Sequence, residues 1–138
     1  MNEKNVLSFI VAVLGTGFTY ALGGWDKCFI ILVSLMAVDY ITGVIAAVIA
    51  GKVDSEVGFK GILRKAAILL VIIVATQLDR LLNEGTWVFR TLVCYFYIAN
   101  EGISILENVG KCGISLPQKL VNALVQLKNK GEGEEKDA

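Results

Sequence analysis

A single carboxylate inside a helix-length apolar run constrains this chain most: between Cys28 and Ala50 the one charged residue is Asp39. About 17–25 apolar residues cross a bilayer as a helix, and this run is of that length. An ionised carboxylate at such depth costs roughly 2.5–3.5 kcal/mol on insertion scales, so the segment needs a partner or water there. On a helix Asp39 shares a stripe with Thr42, Gly43, Ala46 and Ala50, whereas Val38, Ile41, Ile45 and Val48 point elsewhere. The stripe is small and polar and is expected to face protein or water, with the aliphatic side left to lipid. Two readings stay open. Either Asp39 is protonated or paired while Gly43 and Ala47 permit close packing, or it lines a lumen.

Three other segments accompany this one. Val6 to Leu22 is apolar apart from Ser8, Thr16 and Thr19. With Lys4 before it and Thr19 and Ala21 near its end it also fits a signal peptide. The run is long for that role, and more apolar segments follow, so it reads as a first membrane helix. Ile62 to Leu82 has the dense core AAILLVIIVATQL, flanked by Arg64 and Lys65 at one end and Asp79 and Arg80 at the other, where long side chains can snorkel. Trp87 to Leu106 is interrupted by Arg90, Asn100 and Glu101. It crosses only if those groups face protein, water or the headgroups, and otherwise lies in the interface as an amphipathic helix. The expected architecture is an all-α integral membrane protein with four transmembrane helices, or three plus an interfacial one.

The linkers GGWDK, GKVDSEVGFKG and NEGT are short, which implies hairpins of neighbouring helices, and Gly58 and Gly61 read as loop and helix entry. Lys52, Lys60, Arg64 and Lys65 cluster around the second linker as a basic anchor, so that linker is expected in the cytoplasm. Four crossings then put both termini in the cytoplasm, in keeping with Lys4 at one end and Lys111, Lys119, Lys128, Lys130 and Lys136 at the other. Trp25 and Trp87 fall at the outer interface, where indole is favoured. Residues 1–110 are thus the membrane domain, with helices at about 6–22, 28–50, 62–82 and 87–106. Residues 111–138 form a cytoplasmic tail: an amphipathic helix at about 116–130, opened by Pro117 with Leu120, Leu124 and Leu127 on one face, then the disordered acidic GEGEEKDA.

In the fourth segment Arg90, Cys94, Tyr97, Glu101, Ser104 and Asn108 fall on one helical face. This polar stripe is either the solvated side of an interfacial helix or a surface that packs on the Asp39 stripe and lines water after oligomerisation. Enzyme chemistry finds no support. The chain has no histidine, the commonest acid-base catalyst, and no P-loop, dinucleotide fingerprint or nucleophile elbow. Its three widely spaced cysteines, Cys28, Cys94 and Cys112, suit neither a zinc site nor a disulfide framework. No metal or cofactor is expected. The 13 basic and 13 acidic residues balance, which argues against a nucleic-acid partner. Hydrophobic residues make up 55% of the chain, above the roughly 45–50% of soluble domains, so the lipid bilayer is the expected solvent.

Taken in order, GWD, MAVDYITGVIAAV, VGFKGILRKAAI and FYIANEGISILENVGKCGISLPQKL resemble the toxin secretion and phage lysis holins, from about Trp25 to Lys128. The most specific parts are Asp39-Tyr40-Ile41-Thr42-Gly43, Gly58-Phe59-Lys60-Gly61 and the stretch from Asn100 to Asn108. The resemblance implies a phage or prophage protein that accumulates in the bacterial cytoplasmic membrane, forms homo-oligomers at a timed threshold and opens lesions. Its functional partner would be an endolysin or an exported toxin, with an antiholin as a further one. The alternative from the residues alone is a non-lytic membrane subunit, a transporter component or scaffold, in which the same charges hold a fixed bundle.

Overall fold

The computed structural model describes residues 2–132, and these form five α-helices and no strand. They are α1 (Glu3–Leu22), α2 (Lys27–Ile49), α3 (Ser55–Leu82), α4 (Phe89–Lys111) and α5 (Gln118–Gly131). The all-helical expectation holds. Of the five, α1 and α2 are long and apolar enough to cross a bilayer.

Local chemistry sets the helix ends. Asp26 caps α2, its side chain accepting from the Phe29 N–H at 3.0 Å, and Asp54 caps α3 by accepting from the Glu56 N–H at 2.8 Å. With that cap and Glu56 in its first turn, α3 begins well before Ile62 and absorbs Gly58 and Gly61, the glycines expected in a loop. Gly58 lies beside the Tyr40 hydroxyl, where an added Cβ would stand 3.3 Å from that oxygen. The fourth helix starts two positions later than expected and runs on to Lys111. The end of α1 uses Gly23 in the left-handed region at φ 84°, its N–H bonded to the Tyr20 carbonyl.

Helices α2, α3 and α4 pack side by side with alternating direction. The core is Leu22, Phe29, Leu32, Met36, Ile72, Cys94 and Ile98, so it sits between these three helices and closes against the last turn of α1. The rest of α1 is splayed out: Leu7 is 64% and Leu14 68% exposed, and along its length the helix packs chiefly on α3. Nearly bare aliphatic surface over that length belongs in lipid.

Helix α5 is amphipathic, as its leucine spacing predicts, but it does not stand off as a separate tail. It folds back antiparallel along α4, with Leu124 against Gly102 and Leu127 at the core edge. Gly131 lies so tightly on the Phe96 backbone that a Cβ there has no room, and the Lys128 ammonium sits 5.9 Å from the centre of the Phe96 ring. Of the acidic end GEGEEKDA expected to be disordered, Gly131 closes α5 and Glu132 caps it, and the residues beyond Glu132 lie outside the described ones.

Candidate functional site

Two polar clusters occupy opposite ends of the α2–α3–α4 unit, and they are built on different principles. At one end, from α3, Lys65 reaches between the two neighbouring helices. Its ammonium lies 2.7 Å from Asp39 Oδ2 on α2 and 2.5 Å from Glu101 Oε2 on α4. None of the three side chains is more than 17% exposed. The Asn108 amide donates to Asp39 Oδ1 at 3.2 Å, to the Asp39 carbonyl at 3.3 Å and to Thr42 Oγ1 at 3.2 Å. Asp39 is therefore paired and hydrogen-bonded. The group carries two acids and one base, a formal charge of one negative.

This trio forms the floor of a cleft of 570 Å³ that opens between α2 and α3, with Ser104 and Gly43 on its walls. A Cβ on Gly43 would meet Asn108 Nδ2 at 3.6 Å, an ordinary contact, so an alanine fits there. Ala46 is buried on the same helix. The Thr42 hydroxyl bonds back to its own helix at Val38 O, 2.9 Å, as hydroxyls inside apolar helices commonly do.

At the other end Arg90, 1% exposed, is held equally by backbone carbonyls and by a carboxylate. Its Nε donates to the Leu22 carbonyl at 2.7 Å and one Nη to the Gly24 carbonyl at 3.0 Å, while the guanidinium forks onto Asp26 at 2.6 and 3.2 Å. Arg90 thereby joins the C-terminus of α1 to the N-terminal cap of α2: its cation suits the negative end of the α1 dipole, and the Asp26 carboxylate suits the positive end of α2. A Cβ on Gly23 would stand 2.7 Å from Arg90 Nε, so the residue that ends α1 also makes room for the guanidinium. Burial works against the charged form of Asp26, but the Arg90 hydrogen bonds and charge, with the Phe29 N–H, outweigh it and hold the carboxyl below its usual range.

Behind Arg90, fully buried Asp79 of α3 accepts from the Phe89 N–H at 2.9 Å, the Arg90 N–H at 2.8 Å and the Asn83 amide at 2.9 Å. Helix α4 has no side-chain cap from its own residues, so Asp79 caps it from the neighbouring helix. The same side of α3 satisfies the free carbonyls of α1: Thr76 donates to Leu22, Gln77 to Ala21 and Arg80 to Tyr20. The Arg80 guanidinium also covers the Tyr20 ring at 3.9 Å.

The stripe predicted on α4 is thus divided. Glu101, Ser104 and Asn108 face the Asp39 cluster; Arg90 belongs to the opposite end; and Tyr97 packs at the core edge with its ring 5.1 Å from Phe96. Of the residues expected as a basic anchor, Lys65 is turned inward, where two carboxylates face it across the helix interfaces. Lys60 pairs with Glu56 at 2.7 Å on the exposed side of α3, and Lys52 and Arg64 stand at the cleft. Buried Asp79 and half-exposed Arg80 are both spent on helix ends. Sequence reasoning missed Asp26, Thr76 and Asp79. Asp26 had a local signal, an acid just before an apolar helix, but the link to Arg90 is long-range.

A membrane-type helical protein with its charges paired between helices is the class these features define. The chain belongs to the bacteriophage holin family, whose sequence pattern matches residues 16–129. Related chains share nearly its whole length. An uncharacterised 14.9 kDa protein encoded in the nagH 3′ region of Clostridium perfringens is 48% identical over 92% of this chain and 98% of its own. An uncharacterised Clostridium acetobutylicum protein is 42% identical over 91% of this chain and the whole of its own. The uncharacterised YtkC of Bacillus subtilis is 36% identical over 93% of this chain and 94% of its own. No solved structure matches significantly. The holin family is not an enzyme family, and family membership with the two apolar helices places the chain with cytoplasmic-membrane proteins.

Proposed function

We propose that the chain works as a phage or prophage holin: it crosses the bacterial cytoplasmic membrane through α1–α4 with both termini in the cytoplasm, assembles into homo-oligomers, and opens lesions that release an endolysin or an exported toxin. The observation that carries this reading is the Asp39–Lys65–Glu101 trio, largely buried between helices and joined to one another through side chains. Such a group suits two states. In the dispersed protein Lys65 holds the two carboxylates together between the helices, away from lipid. In an assembly that admits water, the same stripes on α2 and α4 are hydrated and the trio separates without breaking any backbone hydrogen bond.

Helix α5 sets a condition on this change. While it lies along α4, its Lys128 is held at the level of Phe96, well inside the span proposed for α4. A fully inserted α4 therefore requires α5 to swing off into the cytoplasm, and the tight contact of Gly131 on Phe96 is what breaks. An antiholin that holds α5 down would delay opening.

Induced expression in a bacterium tests the function. The chain alone is expected to depolarise the membrane abruptly after a delay, and to lyse the culture rapidly only when an endolysin is co-expressed. Accumulation in the membrane with neither effect would instead fit a non-lytic scaffold or transporter subunit.

A further inference from the structure

The 570 Å³ cleft beside the trio has a second character that pore opening does not use. Four basic and three acidic side chains line it, but Lys65 is committed to Asp39 and Glu101. Asp54 is occupied in capping α3. That leaves Lys52, Arg64 and Lys111, all exposed, with no ion-pair partner among the described residues. They come from three different elements, the α2–α3 linker, α3 and the end of α4, and converge on one opening.

Beside these cations the same cleft has an aliphatic wall. Val53 is 68%, Val57 66% and Val44 42% exposed, and no helix covers them. The lining sums to one positive charge, and its three exposed, unpaired cations next to bare aliphatic surface are the complement of a molecule with an anionic head and a hydrocarbon chain. A free anion would use the charges and leave the valines in water.

We propose that this cleft is a binding site for an anionic phospholipid, its phosphate held among Lys52, Arg64 and Lys111 and an acyl chain laid against Val44, Val53 and Val57. The inference rests on the proposed membrane placement of α2–α4, with this end at the cytoplasmic surface. A lipid seated there spans the gap between α2 and α3 directly above the trio, and so favours the closed arrangement of the three charges.

Native mass spectrometry of the detergent-solubilised full chain tests it, with phosphatidylglycerol and phosphatidylcholine offered in equal amounts. The expected result is at least a tenfold preference for the phosphatidylglycerol adduct. The preference should fall to near unity in the Lys52→Gln/Arg64→Gln/Lys111→Gln variant. It should persist in Lys52→Arg/Lys111→Arg and in a Lys119→Gln/Lys128→Gln/Lys130→Gln control, with helix content checked by circular dichroism. Equal retention of the two lipids overturns the site, as does a preference that survives the cleft variant and disappears in the control. Glycerol 3-phosphate is the third arm: if it displaces phosphatidylglycerol at matched concentration, the aliphatic wall contributes nothing and a lipid is the wrong ligand. Loss of permeabilisation in cells with the lipid preference intact counts against the holin reading alone.

Discussion

The Arg90 end and the Lys65 end of the bundle each bury a basic side chain against acids, yet they differ in what those side chains hold. Arg90 and Asp79 are tied to backbone: carbonyls at the end of α1, and N–H groups at the start of α4. Removing either takes partners from helix termini in a partly buried place. The Lys65 trio has only side chains as partners, apart from one amide contact to the Asp39 carbonyl, and it borders an open cleft. Its charges can be rearranged, hydrated or neutralised while every helix stays intact. One end is a clamp and the other a latch.

Substitution at Arg90 gives the largest expected difference between the two. Arg90→Met takes one of two donors from the buried Leu22 carbonyl, strands the Gly24 carbonyl and leaves half-exposed Asp26 without its cation, which costs about 3 kcal/mol in sum, since charge-assisted hydrogen bonds of about 1.5–3 kcal/mol each are lost. Denaturation by sodium dodecyl sulfate in mixed micelles, followed by the fluorescence of Trp25 and Trp87, measures it. A loss below about 1 kcal/mol, typical of an exposed pair, would mean that the clamp is not closed. Lys65→Met is expected to cost less, about 1–3 kcal/mol, since the two acids left behind border an open cleft that water can enter. It should also advance permeabilisation, with Lys65→Met/Glu101→Gln partly restoring the delay. A cost equal to that of Arg90→Met would erase the distinction between clamp and latch.

Acid sharpens the comparison further. The lowered pKa of Asp26 means that its contribution is complete above the ordinary aspartate value of about 3.9 and fades as pH falls through the lower folded value. The stability gap between the wild type and Asp26→Asn is therefore expected to be constant from neutrality to about pH 4 and to narrow below it. Narrowing already at mildly acidic pH would show that the pair with Arg90 is loose. The smallest thermodynamic effect belongs to Gly131→Val, which cannot sit on the Phe96 backbone. Global stability should move by no more than about 0.5 kcal/mol, while the amides of α5 exchange faster and permeabilisation comes earlier. Unchanged α5 protection would show that the last turn of α5 is not what holds it down.

Asp39 announced itself because a charge in an apolar run demands an explanation, and the period of α4 put Glu101, Ser104 and Asn108 on one face. What periodicity does not encode is depth or partner. Arg90 shares that helical face but stands more than two turns away, where α1 ends and α2 begins. Lys65 looked like part of a basic collar because it follows Arg64; only the packing of α3 between two acids turns one outward and the other in. Asp79 resembled a residue at the water boundary and is a buried cap, since the helix it caps follows a short turn of its own chain. The fold-back of α5 depends on Gly102 and Gly131, whose lack of side chains matters only once α4 is alongside.

The latch account is tested most directly by thiol accessibility in cells. Cys94 is fully buried one turn from Arg90 and reports on the clamp end when kept in a Cys28→Ala/Cys112→Ala background. Ser104→Cys, in a chain with all three native cysteines replaced by alanine, reports on the cleft beside the trio. A membrane-impermeant thiol reagent is added before and after the onset of permeabilisation. The account predicts that Ser104→Cys becomes labelled as the membrane opens while Cys94 stays protected. Labelling of Cys94 first, or no change at Ser104→Cys once the membrane has opened, would contradict it.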